Sequence, residues 1–157
     1  MAEYDGITHF LKAAPRRLAD AIELLQPPTL RPNAGDADSR NLRAAMYLAG
    51  YVVECILKAY IIDRAGVQTL RAANQEMLKR RGDVPDLSSA RGHSIPLLLS
   101  LTELEATELP GDIRRSLGIC SKWKSAWRYS PDPARRDEAQ AFVTSAEKIL
   151  QFVRNRI

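Results

Sequence analysis

The sequence predicts an all-α protein, an antiparallel up-and-down helical bundle of four main helices plus one short helix. Apolar residues recur at intervals of three or four along most of the chain, and no segment shows sustained alternation of apolar and polar residues. One stretch, residues 43–64, is apolar nearly all round, which is typical of a helix buried among other helices. Together these observations predict a bundle built around one central helix.

Length and composition indicate a single domain. The chain has 157 residues, which suits one hydrophobic core, and we expect that core to span roughly residues 38–157. The net charge of +4 comes from scattered basic pairs, so it is compatible with nucleic-acid binding without requiring it. The N-terminus lacks a basic start followed by an apolar run, and no signal peptide is expected. Cys55 and Cys120 lie among apolar neighbours and are interpreted as buried thiols of a cytoplasmic protein.

The first helix is predicted over residues 3–26, where apolar side chains form one stripe at helical spacing. Pro15 lies inside that stripe, so the helix either kinks there or begins near Ala14 with Pro15 in its first turn. Pro27 and Pro28 are expected to end it. Asp36 or Asp38 is then a suitable N-cap for the central helix.

The central helix carries one narrow polar stripe, formed by Tyr47, Tyr51, Glu54 and Lys58. Glu54 precedes Lys58 by four residues, which is the favourable order for an ion pair on a helix. Gly50 costs about 1 kcal/mol relative to alanine in a helix interior, so we expect a neighbouring helix to approach closely there. The stretch is long enough to cross a bilayer, but two central charges would each cost roughly 2.5–3.5 kcal/mol in that setting. We therefore expect no membrane span.

The second half of the chain is predicted to contain further helices separated by glycine and proline. Gly66 ends the central helix, and a short helix over residues 69–81 ends at Gly82. Residues 83–92 contain proline, glycine and serine and predict an exposed, mobile loop. The remaining helices are expected to start at Ser94, to run over residues 111–129, and to run from Asp132 to the C-terminus, with Ser94 and Asp132 as N-caps.

Motifs for catalysis are sparse. The sequence has no glycine-rich phosphate loop, no His-Glu-x-x-His and no Cys-x-x-Cys. His9 and His93 are its two histidines, so neither a metal site nor a cofactor is expected within one chain. His93 is the one candidate for a general base, and a role in capping the helix that follows it is the alternative interpretation.

A second feature is the sequence Trp127-Arg128-Tyr129 near a predicted helix end. Two aromatic residues that flank a cation can stack a base and pair with a phosphate, or they can pack the helix end onto the core. The polar stripe of the central helix has the same two interpretations: a structural Glu54–Lys58 pair, or a site that faces Arg128 or Tyr129.

Four pieces of the sequence, in this order, resemble the HEPN domain. They are the motif Ala-x-x-x-Ala-Gly-Tyr-x-x-Glu-x-x-Leu-Lys-Ala from Ala45 to Ala59, the motif Gly-His-x-x-x-x-Leu-Leu from Gly92 to Leu99, Trp127-Arg128-Tyr129, and an alanine-rich amphipathic helix from Ala139 to Val153. The resemblance covers nearly the whole chain after about residue 38. Its most specific part is formed by Tyr51, Glu54, Leu57 and Lys58.

The resemblance implies a small up-and-down helical bundle that forms dimers. Many HEPN domains are metal-independent RNA endonucleases of toxin–antitoxin and defence systems, often paired with a small nucleotidyltransferase. Their catalytic signature places an arginine four to six residues before a histidine, and neither His9 nor His93 has one at that distance. The family's catalytic pair therefore has no counterpart in this chain.

We accordingly expect a cytoplasmic homodimer without catalytic activity that binds a nucleotide, RNA or a protein partner such as a nucleotidyltransferase. The expected binding residues are Glu54, Lys58, His93, Trp127, Arg128 and Tyr129. One alternative is a divergent metal-independent ribonuclease that uses His93 as general acid and base, with Arg128 or Arg91 stabilising the developing charge. Another is a purely structural interaction partner, similar to an antitoxin.

Overall fold

The computed structural model describes residues 5–26 and 35–157, and for residues 35–40 and Ala106 it describes the backbone alone. These residues form helices and no strand, which confirms the all-α class. The six α-helices are α1 (Ile7–Leu25), α2 (Gly35–Arg64), α3 (Leu70–Arg81), α4 (Ile95–Thr102), α5 (Gly111–Cys120) and α6 (Arg136–Arg154). Three short 3-10 turns lie at Ala90–His93, Leu104–Ala106 and Ser125–Tyr129. In the described part of the chain, the six α-helices correspond to the six helical segments predicted in order. They are one more than the predicted bundle of four main helices and one short helix.

Helix α2 lies at the centre of the fold. Helices α1, α3, α4 and α6 and the 3-10 turn Ser125–Tyr129 all pack against it. The buried residues of its two apolar faces are Ala45, Met46, Ala49, Val52, Val53, Ile56, Leu57, Ala59 and Ile61. The segment Asn41–Arg64 is long and apolar enough to span a bilayer, yet 83% of its most apolar window is buried inside the structure. Core helices of soluble proteins share this property, so the segment alone is weak evidence for a membrane span.

Helix α1 begins at Ile7 and continues through Pro15 without a break. Of the two interpretations of Pro15, the later start near Ala14 is therefore wrong. The N-terminal end of α1 is held by an isolated antiparallel bridge between Gly6 and Thr69, and the backbone N–H of Ile7 donates to the carbonyl of Gln68 at 3.0 Å. Residues 27–34, which include the two prolines expected to end the helix, lie outside the described residues.

Side-chain caps and glycines mark several helix ends, with Ser94, Gly66 and Gly82 at the predicted places and Thr69 as a cap that was not predicted. Thr69 Oγ1 accepts a hydrogen bond from the backbone N–H of Ala72 at the start of α3, and Ser94 Oγ accepts one from Leu97 at the start of α4. Gly66 and Gly82 follow α2 and α3 with φ of +68° and +76°, a left-handed conformation that favours glycine at helix C-termini.

Several helix boundaries differ from those expected. Helix α1 begins at Ile7 and not at residue 3. Helix α2 already begins at Gly35, so neither Asp36 nor Asp38 precedes it. The helix predicted over 111–129 ends at Cys120 and is followed by a turn and the 3-10 turn Ser125–Tyr129.

Helix α6 begins at Arg136, so Asp132 does not cap it. Instead, the carbonyl oxygens of Asp132 and Pro133 accept hydrogen bonds from the Arg43 guanidinium at 3.3 and 3.0 Å. These bonds tie the extended segment before α6 to α2, and this tertiary contact overrides the local capping pattern.

The segment between α3 and α4 is partly buried and bonded to α3. Val84 and Leu87 are buried in the core. The side chain of Asn74 on α3 bonds to this segment twice: its Oδ1 accepts from the backbone N–H of Leu87 at 2.8 Å, and its Nδ2 donates to the carbonyl of Pro85 at 3.3 Å. The prediction of an exposed loop over residues 83–92 is therefore wrong for its apolar positions.

Candidate functional site

A buried carboxylate on α2 bonds both within its own helix and to a distant segment. Glu54 Oε1 lies 2.6 Å from Lys58 Nζ and 2.9 Å from His93 Nδ1. Glu54 and Lys58 are only 2% and 4% exposed, so the predicted ion pair is present inside the core and not on a solvated face. We call Glu54, Lys58 and His93 the polar trio.

The bonding pattern assigns the proton on the His93 ring. The ammonium of Lys58 can only donate, so Glu54 Oε1 is an acceptor and also accepts from His93 Nδ1. A neutral His93 then carries its proton on Nδ1 and has an unprotonated Nε2. The Nε2 lone pair can accept a proton or a hydrogen bond, as in a general-base histidine that is oriented by a carboxylate.

The second oxygen of the carboxylate, Glu54 Oε2, is buried and has no donor among the described residues. Burial raises the pKa of the neighbouring Cys55 thiol to about 12, and the Glu54 charge adds to that effect. Burial, and then the nearby Cys55 and Glu54, raise the pKa of Tyr51. Burial alone raises the pKa of Cys120 to about 12. Both cysteines are free and buried, as expected, and neither is a thiolate nucleophile at neutral pH.

A glycine allows the segment before α4 to place His93 against α2. Gly92 is buried in the 3-10 turn Ala90–His93, and a Cβ atom at this position would lie 1.9 Å from the carbonyl oxygen of Leu87. A side chain cannot fit there. Leu87 is itself held by Asn74, and His93 bonds to Glu54. The Gly92-His93 dipeptide is therefore fixed by the Leu87 backbone on one side and by Glu54 on the other.

His93 is half-exposed and lines an open groove of about 350 Å³. The groove lies between the start of α4 and the turn that follows α5. The polar part of its lining consists of His93, Ser94, Ser121, Lys124 and Ser125. We call this cavity the His93 groove.

Trp123 anchors one wall of the His93 groove to α2. Its side chain is buried, and its Nε1 donates to the carbonyl of Tyr47 at 3.1 Å. A Cβ atom at Gly50 would lie 1.9 Å from Trp123 Cδ1. The close approach predicted at Gly50 is thus present, but it is made by a side chain from a turn and not by a helix. The contact holds the adjacent Lys124 beside the groove.

The two segments that supply the groove are basic. Residues 87–102 and 113–131 contain no aspartate or glutamate. Exposed cations in these segments are Arg91, Arg114, Arg115, Lys122, Lys124 and Arg128. A concave polar surface with this charge attracts anions.

The three residues of the Trp127-Arg128-Tyr129 group have different surroundings. The Trp127 ring packs on Phe142, with ring centroids 5.6 Å apart, and the Arg43 guanidinium lies 5.0 Å from the Trp127 centroid. Arg128 and Tyr129 are exposed at the surface. In the described contacts, Glu54 bonds to Lys58 and to His93, and neither Glu54 nor Lys58 bonds to Arg128 or Tyr129.

The sequence identified the three residues of the polar trio one by one, but it indicated neither the contact between Glu54 and His93 nor the groove beside it. Lys124 and Ser125 were not predicted as site residues, because residues 111–129 were expected to form one continuous helix. One sequence signal was available for the groove wall, namely Gly50 inside an apolar helix. It indicates that something approaches the helix closely there, but it does not identify Trp123 as the residue that does so.

In the described part of the chain, no group of three or more histidine, cysteine, aspartate or glutamate side chains could hold a metal ion. No protein-family model, no curated protein and no solved structure matches the sequence or the fold.

Proposed function

We propose that this chain is a HEPN-like module that binds a phosphate-bearing ligand, a nucleotide or RNA, in the His93 groove. The observation that carries the proposal is the conjunction of an oriented histidine, a lysine and serine hydroxyls in one groove whose walls contain no acidic residue. Lysine donates to phosphate oxygens as a point charge, and the hydroxyls of Ser94 and Ser125 can donate as well. Ser121 Oγ, by contrast, already donates to the carbonyl of Leu117.

The polar trio has a defined part in this proposal. Glu54 holds the His93 ring at Nδ1, so the opposite ring nitrogen is left for the ligand. A protonated His93 donates to a phosphate oxygen through Nε2, whereas a neutral His93 accepts from a ribose hydroxyl. Lys58 compensates the buried charge of Glu54 and does not itself contact the ligand.

The HEPN resemblance adds the wider context of the proposal: a cytoplasmic homodimer with the four main helices in antiparallel order, acting beside a nucleotidyltransferase in a toxin–antitoxin or defence system. The absence of the family's arginine–histidine pair from the sequence favours binding over catalysis. If the chain instead binds only a protein partner, as an antitoxin does, we expect no ligand to bind in the His93 groove.

Calorimetric titration with nucleotides and short RNA tests the proposal. We expect binding that weakens as salt rises, and a Lys124→Gln variant that binds about tenfold more weakly because it loses one charged contact to phosphate. Lys148→Gln, which removes an exposed charge from α6 away from the groove, is the matched control and should bind like the wild type. No heat of binding with any nucleotide or RNA, or equal losses in both variants, would contradict the proposal.

One observation favours a second candidate, metal-independent RNA cleavage. The 2.9 Å contact of Glu54 with His93 Nδ1 is the arrangement by which a carboxylate orients a general base. In this candidate, Nε2 removes the proton of a ribose 2′-hydroxyl, the oxygen attacks the adjacent phosphorus, and the bond to the 5′-oxygen breaks, with that oxygen taking a proton from solvent. Cleavage of the titrated RNA by the wild type and not by His93→Gln would favour this candidate over binding alone.

A further inference from the structure

Tyr129 is an exposed aromatic side chain with no core role. It is 78% exposed, whereas the nearby Trp127 packs on Phe142 beneath Arg43. The sequence alone left both aromatics as candidates for stacking a base. In the structure, Trp127 belongs to the core contact and Tyr129 has its ring at the surface.

Arg128 holds the Tyr129 ring in place from one side. The Arg128 guanidinium lies 5.2 Å from the Tyr129 centroid and 5.9 Å from the Tyr47 centroid. Both distances fall within the range of cation–π attraction. The guanidinium therefore links the Tyr129 ring to a partly buried aromatic of α2 and covers one Tyr129 face, while the high exposure of the ring leaves the other face to solvent. We call Arg128 and Tyr129 the surface platform.

The surface platform is continuous with the His93 groove. The Tyr47 ring lies beside Arg128 and, 6.0 Å away between centroids, beside Trp123, which forms part of the groove wall. The 3-10 turn Ser125–Tyr129 begins with residues that line the groove and ends at the platform. A ligand that reaches both places must therefore extend along this turn.

These contacts select the class of ligand. An aromatic ring stacks a base only when that base is not already paired and stacked in a duplex. A phosphate in the groove and a base on Tyr129 would lie at opposite ends of the 3-10 turn Ser125–Tyr129, so we expect them to belong to neighbouring nucleotides of one strand. Stacking is tolerant of sequence because every base has a π-face.

We propose that Tyr129, held by Arg128, stacks an unpaired base of a single-stranded nucleic acid whose adjoining phosphate lies in the His93 groove. This inference rests on the proposed function and assigns to it a ligand class and a specificity-determining residue. Since the guanidinium next to Tyr129 also carries charge, Arg128 contributes attraction for the phosphodiester backbone as well.

Fluorescence anisotropy with three labelled probes tests the inference: a short single-stranded oligonucleotide, the same strand with abasic sites in place of its bases, and the matching duplex. Each is used as RNA and as DNA. The wild type is expected to bind the single strand more tightly than the abasic strand or the duplex. Tyr129→Ala should weaken single-strand binding roughly five- to 150-fold, the range that loss of one stacked base produces, and should leave abasic-strand binding unchanged.

Two further variants separate stacking from a loss of fold. Tyr129→Phe keeps the ring and should bind like the wild type. Leu78→Ala removes another exposed apolar side chain, on α3, and should have no effect on binding. Because Tyr129 is exposed, Tyr129→Ala is expected to fold normally, which its thermal transition verifies.

The failures of the two proposals are distinguishable. If the single strand and the abasic strand bind equally and Tyr129→Ala changes neither, the stacking inference is overturned while phosphate binding in the groove stands. If no probe binds and nucleotides give no signal, the proposed function fails together with the inference. Equal binding of duplex and single strand would also overturn the assignment of an unpaired base.

Discussion

Replacing Gly50 with alanine is expected to lower the free energy of unfolding by about 3 kcal/mol, near the upper end of the range for overpacking a core. The added methyl group would lie 1.9 Å from Trp123 Cδ1 and 2.2 Å from Cγ and Nε1. These distances are far inside van der Waals contact, and the indole cannot yield freely because its Nε1 is bonded to the Tyr47 carbonyl. Urea denaturation followed by circular dichroism measures the change.

Gly118→Ala is the matched control for this substitution. Gly118 also lies inside a helix, α5, but it is exposed and a Cβ atom there has no neighbour within 4 Å. Alanine is favoured over glycine in a helix by roughly 0.5–1 kcal/mol, so this variant should be more stable than the wild type. If Gly50→Ala were as stable as Gly118→Ala, Trp123 would not lie against α2 and the groove wall would be misplaced.

Replacing Lys58 with methionine is expected to lower the free energy of unfolding by about 3–5 kcal/mol, the usual cost of leaving a buried charge without its partner. Lys58 and Glu54 are almost fully buried, and Glu54 Oε2 has no donor among the described residues. Without Lys58, the carboxylate keeps only its contact with His93. Chemical denaturation at neutral pH measures the loss.

The double variant Glu54→Leu/Lys58→Met removes both charges and should recover most of that stability, since an apolar pair of similar volume often replaces a buried ion pair at no net cost. Lys79→Met is the exposed control. It breaks a pair of similar length, 2.7 Å between Lys79 Nζ and Glu76 Oε1, at the surface, where such pairs contribute little. A small effect of Lys58→Met, comparable to that of Lys79→Met, would show that water reaches Glu54.

The helices were largely predictable because their signals are local. Apolar periodicity identified the buried faces of α2. Ser94 caps the start of α4 and the left-handed Gly82 ends α3, as expected. The order of Glu54 and Lys58 on α2 predicted their ion pair, since both residues belong to one helix and their spacing alone brings them together.

The remainder depends on contacts between distant parts of the chain. Trp123 continues the helical spacing of α5, yet the helix ends at Cys120 because the indole packs on Gly50 and bonds to the Tyr47 carbonyl. Likewise, His93 has the sequence context of a helix cap, and nothing local indicates that Glu54, thirty-nine residues earlier, holds its ring. Tertiary contacts of this kind override local preference.

The central claim is that Glu54 holds His93 by its Nδ1 proton and leaves Nε2 to the groove. Nitrogen-15 NMR of the histidine side chains tests it most directly, because the shifts of the two ring nitrogens report which one is protonated. In the neutral state we expect His93 to carry its proton on Nδ1, and to lose this preference in the Glu54→Leu/Lys58→Met variant. A wild-type His93 that carries its proton on Nε2, or that populates both forms as freely as that variant does, would contradict the account.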